Sequence, residues 1–526
     1  MKVFPSAENP FKAEVGMEAR SLWLAQGALA AVAVLAGMIP ACGAEAGVAA
    51  EGQVHPCTGA GTWYPDDADR LRKLVEAYES AETVELPGPP VALVVPHAGY
   101  HYSGQVAGKT FATLKGRTYR RVLLFGPSHR APVRGASVLE VVAYDTPLGR
   151  VPVDAAARDG LLACPVVTPQ PGAHAGEHSV ENQLPMLQVA LGEFKMVEVL
   201  VGNLSTSERA TLADVVRGLM DKGTLLVVST DFCHYGPSYG YTPFVDRIPE
   251  RLAALNAQAM REILEVDAPG WDRFLSETED TVCGRRAVGL MLKVLEPWED
   301  VRGVRVSYDT SGNILGNYRN SVTYGGVAFW RAAEGLTAGE QATLLRVARE
   351  AVEHFLDTGR ALYPDVRKYE LTALLKAPGA AFVTLKKDGR LRGCIGHVIA
   401  TEPLYRSVAE NATNACQDPR FTSNPVTKGE AAALEIEISV LSPMRRLHEP
   451  EKVRVGTDGL MISRAGRRGL LLPQVPTEQG WSRQEFLEGL CRKAGLWPDA
   501  WKEPTTELYR FSAQVFGEKR ERAKEP

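Results

Sequence analysis

Three histidines in this chain each come directly after an apolar, β-rich run. Val91–Val95 leads into Pro96-His97-Ala98-Gly99-Tyr100. Arg121–Phe125 leads into Gly126-Pro127-Ser128-His129, and Leu225–Ser229 into Thr230-Asp231-Phe232-Cys233-His234. Convergent imidazoles are what a metal or an acid–base site requires. Proline ends a strand ladder and glycine permits a tight turn, so the rings of His97 and His129 can project from strand ends. A lone histidine is more often structural, but two in equivalent strand-end contexts point to function. Asp231 lies three residues before His234 and is expected to orient one of its ring nitrogens. Cys233 is expected to face the other way, into the core. His174 and His178 flank Gly176-Glu177, with Glu181 three residues past His178. If Ser179 caps a helix, His178 and Glu181 share one side of its start; the alternative is a solvated polar loop. Cys283 stands in Thr281-Val-Cys-Gly-Arg-Arg286, just before an apolar helix. A thiol there, beside two arginines, has a lowered pKa. Its spacing leaves a metal ligand, a nucleophile and a buried structural thiol all open.

The elements that must position these residues are short continuous apolar runs. Such runs read as strands buried on both faces, hence a parallel sheet covered by helices, with its ligand site at the carboxyl ends of the strands. Strands are expected at 91–95, 121–125, 196–201 and 224–229. Helices are expected at 66–78, 180–191, 206–221, 248–265, 268–276 and 284–296, with closing strands at 304–308 and 325–330. Alternation of this kind predicts a three-layer α/β sandwich. The character changes near 332–339. A long helix spans 340–358, and after it come a hairpin turning at Lys387-Asp388-Gly389, a helix near 402–415 and the alternating strand 434–441. These define a smaller α+β domain from about 335 to 515. The halves share no internal repeat.

Composition sets bounds. A chain of 526 residues is enough for two or three domains. A net charge of −4 gives no argument for nucleic acid. The basic tail Lys519–Lys524 reads as a solvated helix end. Eight cysteines without a CxxC pair indicate neither a zinc ribbon nor a thioredoxin motif. Ser21–Ala44 carries no charge and is long enough to span a bilayer, though weakly hydrophobic. Met17 is an alternative start, and Ile39-Pro-Ala-Cys42-Gly43 is similar to a bacterial lipobox, from which Pro40 departs. A signal peptide or lipoprotein or membrane anchor over 17–44 is therefore expected, set against a plain extension ahead of an enzyme-like body.

Six segments, AGTWYP (60–65), PHAGYHYSG (96–104), GPSH (126–129), EHSVENQLP (177–185), DFCHYG (231–236) and TVCGR (281–285), recur in the order of the Memo (mediator of cell motility) family. Residues about 55–330 resemble that family, which shares the fold of class III extradiol ring-cleavage dioxygenases. The resemblance implies metal ligands at His97, His129 and Cys283, an acid–base role for His234, and cleft positions for Asp231, His178 and Glu181. Ring-cleaving relatives have a carboxylate where this chain has Cys283. LRGCIG (391–396), DPRF (418–421), EIEISVLSP (435–443) and GLLLPQV (469–475) make residues about 337–515 similar to the AMMECR-type domain. Within it Arg392, Gly393, Cys394, Gly396 and His397 either form a polar cleft or make a glycine-dependent turn with a buried cysteine. The division expected is a leader over 1–47, a Memo-like domain over 48–333, an AMMECR-type domain over 334–516 and a charged tail over 517–526.

The resemblance implies a non-haem iron protein, with copper or zinc as alternatives, of oxidoreductase type and acting on a small oxygenated substrate. A non-catalytic module that binds a small molecule or peptide, and a zinc hydrolase, are the competing readings. Together the two domains resemble the bacterial and archaeal AmmeMemoRadiSam system. That implies a radical S-adenosylmethionine protein as partner and a cytoplasmic body.

Overall fold

Alternating apolar runs and amphipathic segments fold here as their spacing dictates. The computed structural model describes residues 52–332 and 335–518. The expected leader and the tail from Lys519 lie outside those residues. Among the described residues no helix is long and apolar enough to cross a membrane.

The first domain is built on an eight-stranded sheet: β1 (Pro90–Val95), β2 (Arg121–Gly126), β3 (Ala136–Ser137), β4 (Lys195–Val201), β5 (Thr224–Ser229), β6 (His234–Tyr235), β7 (Val301–Thr310) and β8 (Ser321–Arg331). Its order is β7-β8-β1-β5-β2-β4-β3, with β6 paired to the start of β8. The four central strands β1, β5, β2 and β4 run parallel, and the flanking pairs are antiparallel. Helices cover both faces. The principal ones are α1 (Ala68–Glu79), α2 (Tyr100–Phe111), α3 (His178–Glu181), α4 (Leu184–Leu191), α5 (Thr206–Leu219), α6 (Ile248–Leu264), α7 (Ala268–Thr278) and α8 (Arg285–Leu295). Because successive strand residues face opposite sides, Leu93, Val95, Val122 and Leu124 pack on α1, α2 and α4. Ala92, Val94, Leu123 and Phe125 pack on α5 to α8.

The helix expected over 180–191 is interrupted. Pro185 sits in the first turn of α4, where its missing N–H is harmless, so the chain restarts there instead of continuing from α3. The cap of α3 is Glu177, not Ser179: its carboxylate accepts from Ser179 N.

The second domain has two four-stranded sheets. The first holds β9 (Ala381–Lys387), β10 (Arg390–Gly396), β11 (Glu435–Leu441) and β16 (Ala513–Gly517), in the order β10-β9-β11-β16. The second holds β12 (Arg445–Arg446), β13 (Gly459–Arg464), β14 (Arg467–Leu471) and β15 (Glu507–Phe511), in the order β12-β15-β13-β14. The helix α9 (Ala338–Thr358) starts on a Thr337/Glu340 capping box. With α10 (Leu404–Cys416) it covers the first sheet, and α11 (Arg483–Lys493) covers the second.

The domains meet at one end of the large sheet. The Arg445 guanidinium donates to Glu265 O at 2.8 Å and to Val301 O at 2.6 Å. His448 pairs with Asp267 at 2.7 Å, and Arg454 and Arg510 reach Glu299 at 3.2 Å. Val301 pairs with Arg331, and neighbouring Trp330 pairs with Pro90. The seam therefore lies at the amino end of β1, and the turn bearing His97 at its carboxyl end. Replacing Arg445 by Ala leaves two seam carbonyls without their charged donor. The expected loss is about 1.5–3 kcal/mol of stability, read as a lower midpoint in chemical denaturation of the full chain.

Candidate metal centre

The parallel strands β1, β2 and β5 end side by side, and each passes directly into a residue of the site. After β1, Pro96 ends the ladder and His97 turns inward, 2% exposed. After β2, Pro127-Ser128 delivers His129. After β5, Thr230-Asp231 lies against the N-terminus of α8, which Cys283 precedes. Gly284 makes that approach possible, because a Cβ there would stand 2.5 Å from Thr230 Cβ.

His97, His129 and Cys283 each offer one ligand atom, and all three lie within 4.8 Å of one another. The Cys283 sulfur is 3.2 Å from His97 Nε2 and accepts from Asp231 N–H at 3.2 Å. Burial alone would raise the Cys283 thiol. The His97 and His129 imidazoles outweigh it and bring the thiol down to about 6. Burial likewise works against the His129 imidazolium, yet the sulfur and the Glu177 carboxylate lift that ring to about 10. Glu177 is held down to about 2 against its own burial, chiefly by the hydrogen bond from His129. Two imidazole nitrogens and a thiolate within this radius form a donor set that suits a divalent transition metal.

His178 enters the same cleft. Its ring lies 4.7 Å from that of His129 and 5.6 Å from that of His97, and stacks flat on Trp63 at 3.9 Å. Burial, reinforced by the two neighbouring imidazoles, depresses it to about 3, so it stays neutral. His234 lies nearby with its ring edge-on to Tyr239 at 5.3 Å. Burial lowers its pKa. Its Nδ1 faces Phe232 O at 2.9 Å and Thr281 O at 3.2 Å. Carbonyls only accept, so Nδ1 carries the hydrogen and Nε2 keeps a lone pair.

Two expectations need correction. Asp231 does not orient the His234 ring. Its carboxylate accepts from His97 N at 2.8 Å and Ala98 N at 3.3 Å, which leaves the backbone carbonyls of Phe232 and Thr281 to fix His234. A turn leaving a strand has unpaired N–H groups, and a buried carboxylate satisfies them first. Glu181 is committed elsewhere. It accepts from Thr58 N and Oγ1, Gly59 N, Tyr64 OH and Cys57 Sγ, pinning the 57–64 segment that carries Trp63. His174 is also remote from the trio, buried against Ser137 and Glu198. Cys233 faces the core as its neighbour relationship to His234 predicts.

Sequence reasoning missed Glu177, which binds His129 Nδ1 at 3.0 Å and also accepts from its backbone N–H. It missed Ser229, 2.9 Å from His97 Nδ1, and Trp63 as well. Glu177 sits inside the EHSVENQLP segment, so its signal was adjacency to His178. In the second domain Arg392 is buried against Asn424 O, Pro425 O and Glu430, a structural use.

The chain matches the family described as Memo-like protein over residues 55–328 and the AMMECR1 family over residues 345–516. A protein of Methanothermobacter thermautotrophicus is 43% identical over 191 residues, spanning 35% of this chain and 96% of that protein. A protein of Methanopyrus kandleri is 42% identical over 195 residues, spanning 35% and 91%. The crystal structure of an uncharacterized protein from Pyrococcus horikoshii is 38% identical. It covers 34% of this chain and 91% of its own, with a TM-score of 0.32. The chain belongs to the Memo-like family and carries an AMMECR1 domain after its Memo domain.

Proposed function

We propose that this protein is a metal-dependent protein of oxidoreductase type, with non-haem iron, or copper in its place, held by His97 Nε2, His129 Nε2 and Cys283 Sγ. The observation that carries the reading is the gathering of these three atoms within 4.8 Å, from strand and helix ends far apart in sequence. The helix layers on both faces of the mixed sheet support a three-layer, dioxygenase-like sandwich. A divalent ion bound there supplies Lewis acidity and open positions for a small oxygenated substrate.

The chain's own groups supply the rest. His234 Nε2, left unprotonated by the two carbonyls on Nδ1, takes a proton from a substrate hydroxyl and returns it later. The Trp63–His178 stack forms a flat apolar wall beside the trio. Glu181 holds that wall in place through the 57–64 segment. A thiolate donor also suits zinc, so a zinc hydrolase using the same trio is the second reading. The Memo–AMMECR1 pairing supports a radical S-adenosylmethionine protein as partner.

Protein purified without oxygen is expected to carry one metal per chain, identified by elemental analysis. Iron or copper supports the oxidoreductase and zinc the hydrolase. Cys283→Ala is expected to lose that metal; undiminished stoichiometric metal in the variant contradicts the ligand assignment. His234→Gln is expected to retain full metal content, since the ring lies outside the donor set, and a metal-free His234→Gln protein would count against its assigned role.

In metal-stripped protein the Cys283 thiolate persists down to about pH 6, whereas a free cysteine titrates near ~8.5. A lowered pKa means the reactive form is present above pH 6 and lost below it. Alkylation of Cys283 by iodoacetamide, read by mass spectrometry, is therefore expected to rise through about pH 6 and level off by about pH 8. A rise centred near ~8.5 would refute the imidazole–thiolate pairing.

A further inference from the structure

One segment, residues 177–183, stands behind both histidines of the trio. It lies directly on the end of β2 because Gly126 has no side chain there. A Cβ at Gly126 would be 2.8 Å from Val180 Cγ2 and 2.9 Å from Ser179 Oγ. Ser179 Oγ donates to Pro127 O at 2.7 Å, and Asn182 Nδ2 donates to His97 O at 2.7 Å. The segment is thereby fastened to the two turns that bear His129 and His97.

The hydrogen bonds from this segment decide where the ring hydrogens sit. The Ser229 hydroxyl, fully buried, donates to Ser179 O at 2.5 Å. A hydroxyl has one hydrogen to give and two lone pairs. One lone pair accepts from Gln183 Nε2 at 3.0 Å, and that amide also donates to Pro96 O at 3.0 Å. The other faces His97 Nδ1 at 2.9 Å. With its only hydrogen given to Ser179, Ser229 can only accept from His97. His97 Nδ1 must therefore carry a hydrogen, and the ring is turned with Nε2 toward the Cys283 sulfur, 3.2 Å away. At His129 the Glu177 carboxylate does the same work. It accepts from Ser179 N at 2.8 Å and from His129 Nδ1, leaving His129 Nε2 to the cleft.

We propose that Ser229 and Glu177 are positioning residues: tied to the 177–183 segment, they hold both rings with Nδ1–H turned away from the cleft before any metal arrives, so that the two Nε2 atoms are already placed on the cleft side. The consequence for metal rests on the reading given under Proposed function. The lock itself is a property of the metal-free molecule. A mobile ring would have to be turned at the moment of binding; here the Ser229 and Glu177 side chains have fixed its orientation.

The test uses the full chain, metal-stripped and labelled with 15N-histidine, at pH 8. Long-range 15N–1H spectra report which ring nitrogen of each histidine is protonated, and His97 is assigned by its absence in His97→Gln. Wild type is expected to show His97 protonated at Nδ1. Ser229→Ala, which leaves a methyl where the hydroxyl accepted, is expected to show His97 with Nδ1 partly bare. It should weaken Co(II) and Zn(II) affinity by roughly 10–100-fold. Glu177→Gln is expected to weaken both ions by a similar factor while leaving the His97 signal unchanged, and it serves if Ser229→Ala does not fold. A His97 bare at Nδ1 in wild type overturns the proposal. So does either variant, folded by its thermal midpoint, with wild-type affinity. If wild type binds neither ion, the metal reading fails while the His97 spectra still decide the lock.

Discussion

A buried sulfur can hold a negative charge only if positive or polarised groups surround it. In this fold the two imidazoles at His97 and His129 meet that condition. Taken into the interior alone, the Cys283 thiol would stay protonated, and either ring alone would resist protonation. Brought together, the sulfur and the His129 ring stabilise one another's charged forms, and the His97 ring adds to the pull on the sulfur. That coupling demands that two strand ends and a helix start approach within side-chain reach. Gly126 and Gly284 are the positions where such closeness excludes a Cβ. The sheet order places β1 and β2 on either side of β5, so the residues after all three strands face one cleft. The rest of the first domain is the scaffold that holds this approach against its electrostatic and steric cost.

Much of this was legible in sequence because the strands announce themselves. Runs such as Val91–Val95 and Leu225–Ser229 are buried on both faces, and their apolar continuity is visible without an alignment. Each run ends in a turn, so His97, His129 and His234 could be placed at strand ends. The groups that orient those rings were less legible. Asp231 lies at a spacing that suggests a bond to His234, but hydrogen bonding is decided by which donors the turn leaves unpaired, and those belong to His97 and Ala98. Glu181 has helical spacing to His178, yet Glu177, on the other side of that histidine, takes the ring contact because α3 is a single turn. Ser229 reads as the last residue of an apolar strand, and nothing in composition separates it from its neighbours. The second sheet of the AMMECR1 domain was missed for a related reason. Gly459–Arg464 and Arg467–Leu471 are rich in arginine at the turn between them, which hides the alternation.

Replacing a carboxylate by a thiolate in the proposed donor set alters more than softness. A carboxylate has two oxygens and can shift between them as a ligand set changes; a thiolate offers one atom. Here that atom also accepts the Asp231 N–H, so its position is tied to the turn after β5. The ring of His234 is likewise tied to backbone, at Phe232 and Thr281. The segments 231–234 and 281–283 are thus tied to each other by hydrogen bonds. The separation of the His234 ring and the Cys283 sulfur is thereby set by backbone contacts.

The seam between the domains bears on how the two parts work together. Arg445 grips carbonyls at the amino end of the sheet, while the trio occupies the carboxyl end. The six residues of β1 separate them, about 20 Å at ~3.3 Å per residue. A swing of the second domain over the trio's cleft would first have to break the Arg445, His448 and Glu299 contacts, exposing the Arg445 guanidinium and the Asp267 carboxylate. The AMMECR1 domain is therefore joined to the first domain at the end of the sheet opposite the trio.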